Sequence, residues 1–191
     1  MLTLDTVAPG LTPGRWAIDP AHSEISFTVR HLMTTVRGTF PDFAGEARVA
    51  DDPFASSAWA EITLASLDTR NSERDAHVRS ADFLDVERHP VMTFTSTGVE
   101  RATVGRRART PRFHVDGELD VRGVRRPVRM LSEFHGVSED PWGGVRAGFT
   151  ATAEISRRDF GIEFNIPLQG DKVVLGDTIA IQLEIQLVKA A

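Results

Sequence analysis

The chain contains no cysteine, so disulfide bonds and thiolate-based metal or redox chemistry are excluded. Lysine is almost absent. Of 22 basic residues only Lys172 and Lys189 are lysines, and the arginines are spread over most of the sequence. The formal net charge of −5 argues against a chain built to bind polyanions. No apolar run approaches the roughly 20 residues of a membrane-spanning helix. The opening MLTLDTVAPGLTPG carries neither the basic segment nor the long apolar stretch of a secretory signal. The expectation is a cytoplasmic protein without an integral membrane segment. A Gly-x-Ser-x-Gly elbow, a phosphate loop and a dinucleotide fingerprint are all missing too.

What is present is strand pattern. The 191 residues, 41% hydrophobic and 26% charged, suit one globular domain with a sizeable core. Residues 1–14, with Pro9, Gly10, Pro13 and Gly14, read as a flexible leader, and 15–191 as a single domain. Residues 16–20 are extended. From 23 to 33 the residues Ile25, Phe27 and Val29 alternate with Ser26, Thr28 and Arg30. Residues 36–49 continue as a curved strand whose breakers Gly38, Pro41 and Gly45 suggest bends or bulges. Further alternating runs lie at 58–67, 91–99, 113–121, 128–134 and 145–155, and after residue 172. The run 113–121 is the clearest: Phe113, Val115, Gly117, Leu119 and Val121 face one way, and His114, Asp116, Glu118 and Asp120 the other. Helical pattern is confined to connections, so parallel βαβ pairing is excluded and the sheet is antiparallel. The expected fold is all-β: an eight-stranded, antiparallel up-and-down barrel with short helices in the connections. A two-sheet sandwich is the competing arrangement.

The longest departure from strand pattern is 67–90, LDTRNSERDAHVRSADFLDVERHP. Ser72-Glu73-Arg74-Asp75 reads as a helix start with Ser72 as N-cap, and Pro90 suits the first residue of the next strand. A hairpin needs only a few residues, and a connection this long is usually a lid or binding loop.

Small residues recur at inward positions: Ala58, Ala60, Gly117, Ser132, Ala147, Ala151 and Ala153. An eight-stranded barrel can be filled by side chains or can hold one small ligand. The small residues therefore leave an apolar cavity, or they accommodate bulky residues opposite in a solid core. Pattern alone leaves both readings open.

Six histidines, His22, His31, His77, His89, His114 and His135, lack the close pairing of metal ligands, and no metal is expected. The basic runs Arg106-Arg107-Ala108-Arg109 and 122–129 flank one strand of about ten residues. That separates them by roughly 30 Å, so they do not form one nucleic-acid patch. Arg74-Asp75-x-His77 is the best catalytic candidate, with a structural reading in which an Arg–carboxylate pair fixes the connection to the barrel rim.

These runs contain a further set of short motifs: Trp16-x-Ile18-Asp19-x-x-His22-Ser23-x-Ile25-x-Phe27; Gly38-x-Phe40-x-x-Phe43-x-Gly45; Thr69; Arg74-Asp75-x-His77; Ser80-x-Asp82-Phe83; His89-Pro90-x-x-x-Phe94; Gly117-x-Leu119; Arg122-Gly123-Val124; Arg158-Asp159-Phe160-Gly161; and Gly176-Asp177. In their order and spacing they resemble the YceI-like family of lipocalin-like polyisoprenoid-binding proteins, over nearly the whole chain beyond residue 14. The resemblance implies a barrel with a long hydrophobic tunnel. It implies binding, sequestration or transport of a long apolar amphiphile, such as a polyisoprenoid, an isoprenoid quinone or a related lipid. It further implies no catalysis, no cofactor beyond the bound lipid, and a homodimer; many family members are periplasmic. The alternatives are a lipid-modifying or hydrolytic enzyme using Arg74 and His77, and an interaction module with a packed interior.

On this reading the apolar tunnel is lined by Phe27, Val29, Phe40, Ile62, Leu64, Phe94, Val115, Leu119, Met130, Phe149 and Leu183, and Ala151→Trp should fill it. In a meander alternate connections share one end. Residues 31–35, 68–89, 122–126 and 156–172 therefore meet, bringing together Arg79, Arg125, Arg157 and Arg158. Asn71, Arg74 and His77 form the polar mouth, and Phe83, Phe160 and Phe164 close over the ligand.

Overall fold

One antiparallel sheet curls until its ends meet in the computed structural model, which describes residues 4–102, 110–168 and 173–190. Its strands are β1 (Gly14–Ile18), β2 (Glu24–His31), β3 (Thr34–Thr39), β4 (Phe43–Val49), β5 (Ser57–Thr63), β6 (Val91–Arg101), β7 (Arg112–Val121), β8 (Val124–Glu139), β9 (Val145–Ser156) and β10 (Leu175–Lys189). These ten segments occupy eight barrel positions. β1 and β2 lie end to end against β10, pairing Ile18 with Leu187 and Ile25 with Leu183. A 3₁₀ turn at Pro20–His22 separates them, and Asp19 caps it by accepting from the Ala21 N–H. β3 and β4 likewise share a position, β3 against β2 and β4 against β1 and β5. From β5 to β10 each strand pairs with the next, and the β1–β10 pairing closes the barrel.

The break expected within 36–49 falls at residues 40–42, where Pro41 cannot donate to a ladder. Gly38 and Gly45 remain inside strands because something stands over each. A Cβ on Gly38 would lie 2.4 Å from Phe27 Cζ, and one on Gly45 would lie 2.5 Å from the Trp59 carbonyl oxygen. The β7–β8 hairpin turns on Arg122 and Gly123, with φ of 57° and 73°. Two positive φ values match the two-residue turn whose twist suits a hairpin.

Three expectations are corrected. The strand beginning near Ala58 ends at Thr63, and Leu64–Ser66 form a 3₁₀ turn. In the long connection, helix α2 (Ser72–Arg79) is capped by Asn71, which accepts from the Arg74 N–H at 2.9 Å, so Ser72 is already the first helical residue. The leader, within its described part, is not a free tail. A one-turn helix, α1 (Leu4–Val7), and the residues after it bury Leu4, Val7, Ala8 and Leu11 against Trp16, Phe113 and Phe134. Apolar side chains four apart gave these residues something to bury, and they cover the otherwise open end of the barrel.

The interior divides along the barrel axis. One half is solid: Trp16, Val49, Phe113, Phe134, Ala147 and Leu187 pack with the N-terminal residues. The other half holds Ile25, Phe40, Ile62, Leu119, Val121, Val128 and Phe160 around open space.

Candidate functional site

The end bearing α2 collects four connections, and hydrogen bonds tie them together. The Arg122 guanidinium donates to the Ala81 and Gly161 carbonyls, at 3.3 and 3.2 Å, joining the α2 connection to that between β9 and β10. The Leu32 N–H in the β2–β3 turn donates to the Val174 carbonyl at 2.8 Å. Thr39 and Asp68 exchange backbone bonds of 2.9 Å, which pins the start of the α2 connection to β3.

Beneath this cover lies a cavity of about 370 Å³, within the usual range for small-molecule sites. Its wall is the inward face of the barrel at one axial level. Phe27, Val29, Phe40, Ile62, Phe94, Leu119, Met130 and Leu183 line it, as do Phe83, Phe160 and Phe164 from the connections. Leu64, Val115 and Phe149 do not line it. Leu64 is fully buried in the wall behind it. Phe149 packs on Phe134 in the solid half, ring centroids 5.2 Å apart. Val115 pairs with Met130 and Val99, two inward positions beyond Leu119, the partner of Phe94. The reason is simple: strand alternation specifies which face a side chain takes, not how deep along the barrel it sits.

The small inward residues divide similarly. Ala60 lines the cavity, whereas Ala58, Gly117, Ser132, Ala147, Ala151 and Ala153 do not. Gly117 is occupied by a neighbour: a Cβ there would stand 2.3 Å from Phe94 Cζ. Both sequence readings thus apply, a hollow at one level and small-against-large packing elsewhere.

The polar residues of the cover are mostly committed to one another. Asp75, 7% exposed, accepts from the Thr69 N–H at 2.9 Å and the Thr69 hydroxyl at 2.5 Å. Arg74 donates from Nε to Thr69 Oγ1 and from Nη2 to the Thr69 carbonyl, each at 2.7 Å. The expected Arg–carboxylate pair is replaced by a Thr69-centred knot, because Thr69 offers a donor and two acceptors where Asp75 can only accept. Arg74 and His77 line the cavity; Asn71 does not, being engaged as the helix cap. His77 sits edge-on to Phe83 and Phe164, at centroid distances of 5.1 and 4.9 Å, the edge-to-face geometry aromatic rings favour. Its Nε2 is 3.0 Å from Asp82 Oδ2, and since an ionised carboxylate only accepts, His77 donates there. His77, Phe83 and Phe164 therefore form a three-ring cluster at one side of the cavity. The basic run at 106–109 lies outside the described residues.

Two residues at this end have roles that the sequence did not assign. Thr69, one of the family-motif residues, is the centre of the knot. Arg157, expected at this end with other arginines, lines the cavity yet is only 3% exposed. Its Nε donates to the Gly176 carbonyl at 2.9 Å, and its Nη1 to the carbonyls of Ile162 and Phe164 at 2.6 and 2.9 Å. Burial, with Arg158 adding repulsion, pushes its pKa below the ordinary arginine value. A signal was available. The inward series of β9 runs 145, 147, 149, 151, 153, 155, and the next position is 157.

Comparison with known proteins agrees with this architecture. The family model described as the YceI-like domain matches residues 16–187. A UPF0312 protein of Azotobacter vinelandii is 41% identical over 144 residues, covering 74% of this chain and 72% of its own. Among solved structures, Burkholderia cenocepacia BcnA superposes with a TM-score of 0.72 at 20% identity, over 88% of this chain and 98% of that one. A Campylobacter jejuni YCEI protein gives 0.67 at 26% identity, over 85% and 90%. A polyisoprenoid binding domain from Saccharophagus degradans gives 0.68 at 16% identity, over 94% and 100%.

Proposed function

The chain belongs to the YceI-like family, and from that premise we propose that it binds a long apolar amphiphile, an isoprenoid lipid or a chain of like character, and carries or sequesters it out of water. The observation that carries this reading is the cavity of about 370 Å³ walled by aliphatic and aromatic side chains beneath α2. Space of this kind gains nothing for the fold: an unfilled void forfeits the dispersion contacts its lining would otherwise make. An apolar ligand recovers them, together with about 25 cal/mol for each Å² of apolar surface it hides from water. The likeness to a polyisoprenoid binding domain of Saccharophagus degradans supports an isoprenoid chain as the occupant.

The α2 end is the mouth, with the His77, Phe83 and Phe164 rings over the occupant. The function is binding rather than catalysis, and His77 is placed to position the cover through Asp82. The test is lipid extraction and native mass spectrometry of the purified protein, followed by titration with a prenyl alcohol. A bound or titratable isoprenoid is expected. Protein that comes out empty and takes up no prenyl or fatty amphiphile overturns the reading.

A further inference from the structure

Arg157 carries an unspent donor. Three of its N–H bonds go to the backbone carbonyls of Gly176, Ile162 and Phe164. Its Nη2 is buried and has no hydrogen-bond partner among the described residues. The other buried side-chain atoms in that condition belong to Arg79, Arg112 and His114, none of which lines the cavity. The polar neighbours are otherwise engaged. Thr69 is committed to Arg74 and Asp75, His77 to Asp82, and Asn165 to Leu175 and Ile166. Asp177 accepts from the Ser156 hydroxyl and from the Arg158 N–H, and forms its ion pair with Arg158.

The three partners of Arg157 are neutral carbonyls, and no ion pair to it exists among the described residues. A buried guanidinium without a directly paired counter-charge is costly. The mainly apolar cavity wall therefore holds, in the 3₁₀ turn that follows β9, a buried cation with no ion pair among the described residues; Asp177 attracts it electrostatically but is ion-paired with Arg158.

We propose that Arg157 is the head-group anchor of the cavity, and that the preferred ligand is an isoprenoid or fatty acid whose carboxylate accepts from Nη2 while its chain lies against Phe94, Ile181 and Leu183. This rests on the binding function proposed above and assigns its head-group chemistry. A carboxylate supplies both missing elements, a negative charge and an acceptor oxygen, and charge-assisted bonds of this kind are about twice as strong as neutral ones. Arg74 lies on the same wall, but its guanidinium already serves Thr69.

The experiment uses a matched set of probes: geranylgeranoic acid, geranylgeraniol and the corresponding C20 hydrocarbon. Each is titrated into the wild-type chain and into Arg157→Met and Arg157→Lys. In the wild type the acid should bind about ten- to a hundredfold more tightly than the alcohol or the hydrocarbon, the range of a hydrogen bond to a charged group. Arg157→Met should abolish that preference and leave hydrocarbon binding within about twofold, while Arg157→Lys should retain part of it. Because Arg157 also holds three carbonyls, a second readout uses the unaltered protein. In ¹⁵N NMR the acid, but not the hydrocarbon, should shift and slow the exchange of the Arg157 Nη signals. Equal affinity for acid and hydrocarbon in the wild type overturns the assignment, as does an Nη signal indifferent to the acid. Failure of all three probes to bind the wild type overturns the binding function itself and this anchor with it. Tight hydrocarbon binding without acid preference overturns the anchor alone.

Discussion

The ring of Phe94 lies across the Cα of Gly117 on the neighbouring strand, so close that a Cβ on Gly117 would stand 2.3 Å from Phe94 Cζ and 2.7 Å from the Thr95 carbonyl oxygen. Neither neighbour can retreat freely, since one is a cavity wall and the other is backbone. Gly117→Ala should therefore lower stability by about 1–3 kcal/mol, the usual cost of overpacking. It should also turn Phe94 further into the cavity. Denaturant titration together with prenyl-alcohol affinity checks this, and a variant as stable as the parent would show that the ring moves without cost.

Filling the hollow directly calls for a different residue from the one alternation suggests. Ala151 faces inward between Ser132 and Leu183, but it does not line the cavity. A tryptophan there overpacks the core. Ala60 does line it. Ala60→Phe should occupy the space at a stability cost of no more than about 3 kcal/mol and eliminate binding. Ala151→Trp should instead unfold the barrel or shift its melting temperature sharply. Circular dichroism melts and ligand titration on the two variants separate these outcomes.

The Thr69–Asp75 knot holds the cover in place. Asp75→Ala leaves the Thr69 N–H and hydroxyl without their acceptor, which should cost about 1–3 kcal/mol. Because the knot joins residue 69 to α2, loss should show first as faster hydrogen exchange in residues 67–79 and a raised ligand dissociation rate. An unchanged exchange pattern there would mean that Arg74 alone suffices.

The far end carries an acid-sensitive tie. Arg146 donates to Asp19 and Asp140, spanning the turn after β1, the β8–β9 turn and, through Gln186, β10. The Arg146 guanidinium, with His22 adding to it, lowers the Asp19 pKa from 3.8 to about 2. A carboxylate whose folded pKa is depressed stabilises the fold above its unfolded value, and that stabilisation is lost as pH falls through the folded one. For Asp19 the window runs from about pH 4 down to about pH 2. Asp19→Asn should flatten the stability–pH curve there and lower stability at pH 7. A curve of unchanged slope would assign the acid sensitivity to other groups.

Period-two alternation made the barrel legible before any coordinates. Runs such as 113–121 have a single inward face, and the placement of the long connections at one end follows from strand order alone. What alternation cannot convey is depth. Val115 and Leu119 share a face, yet only Leu119 reaches the cavity. Nor does it show where a strand position is served by two segments, as with β1 and β2, because the turn at Pro20–His22 interrupts pairing without reversing the chain. Leu4, Val7 and Leu11 were hidden by nearby prolines and glycines, although their spacing already marked an apolar face. Arg157 was placed at the correct end by strand order, but its burial was not legible, because it lies one step past β9, where alternation no longer guarantees an inward side chain.

Among the described residues, the packing of residues 4–11 onto Trp16, Phe113 and Phe134 fills one end of the interior, so that with the proposed mouth at the α2 end it is a pouch rather than a pipe. A guest cannot be threaded through; it must back out the way it came, and water must use the same doorway in the opposite direction. Exchange of one guest for another is then sequential, with an empty intermediate, and its pace is set by how often the α2 cover lifts rather than by how tightly the walls grip.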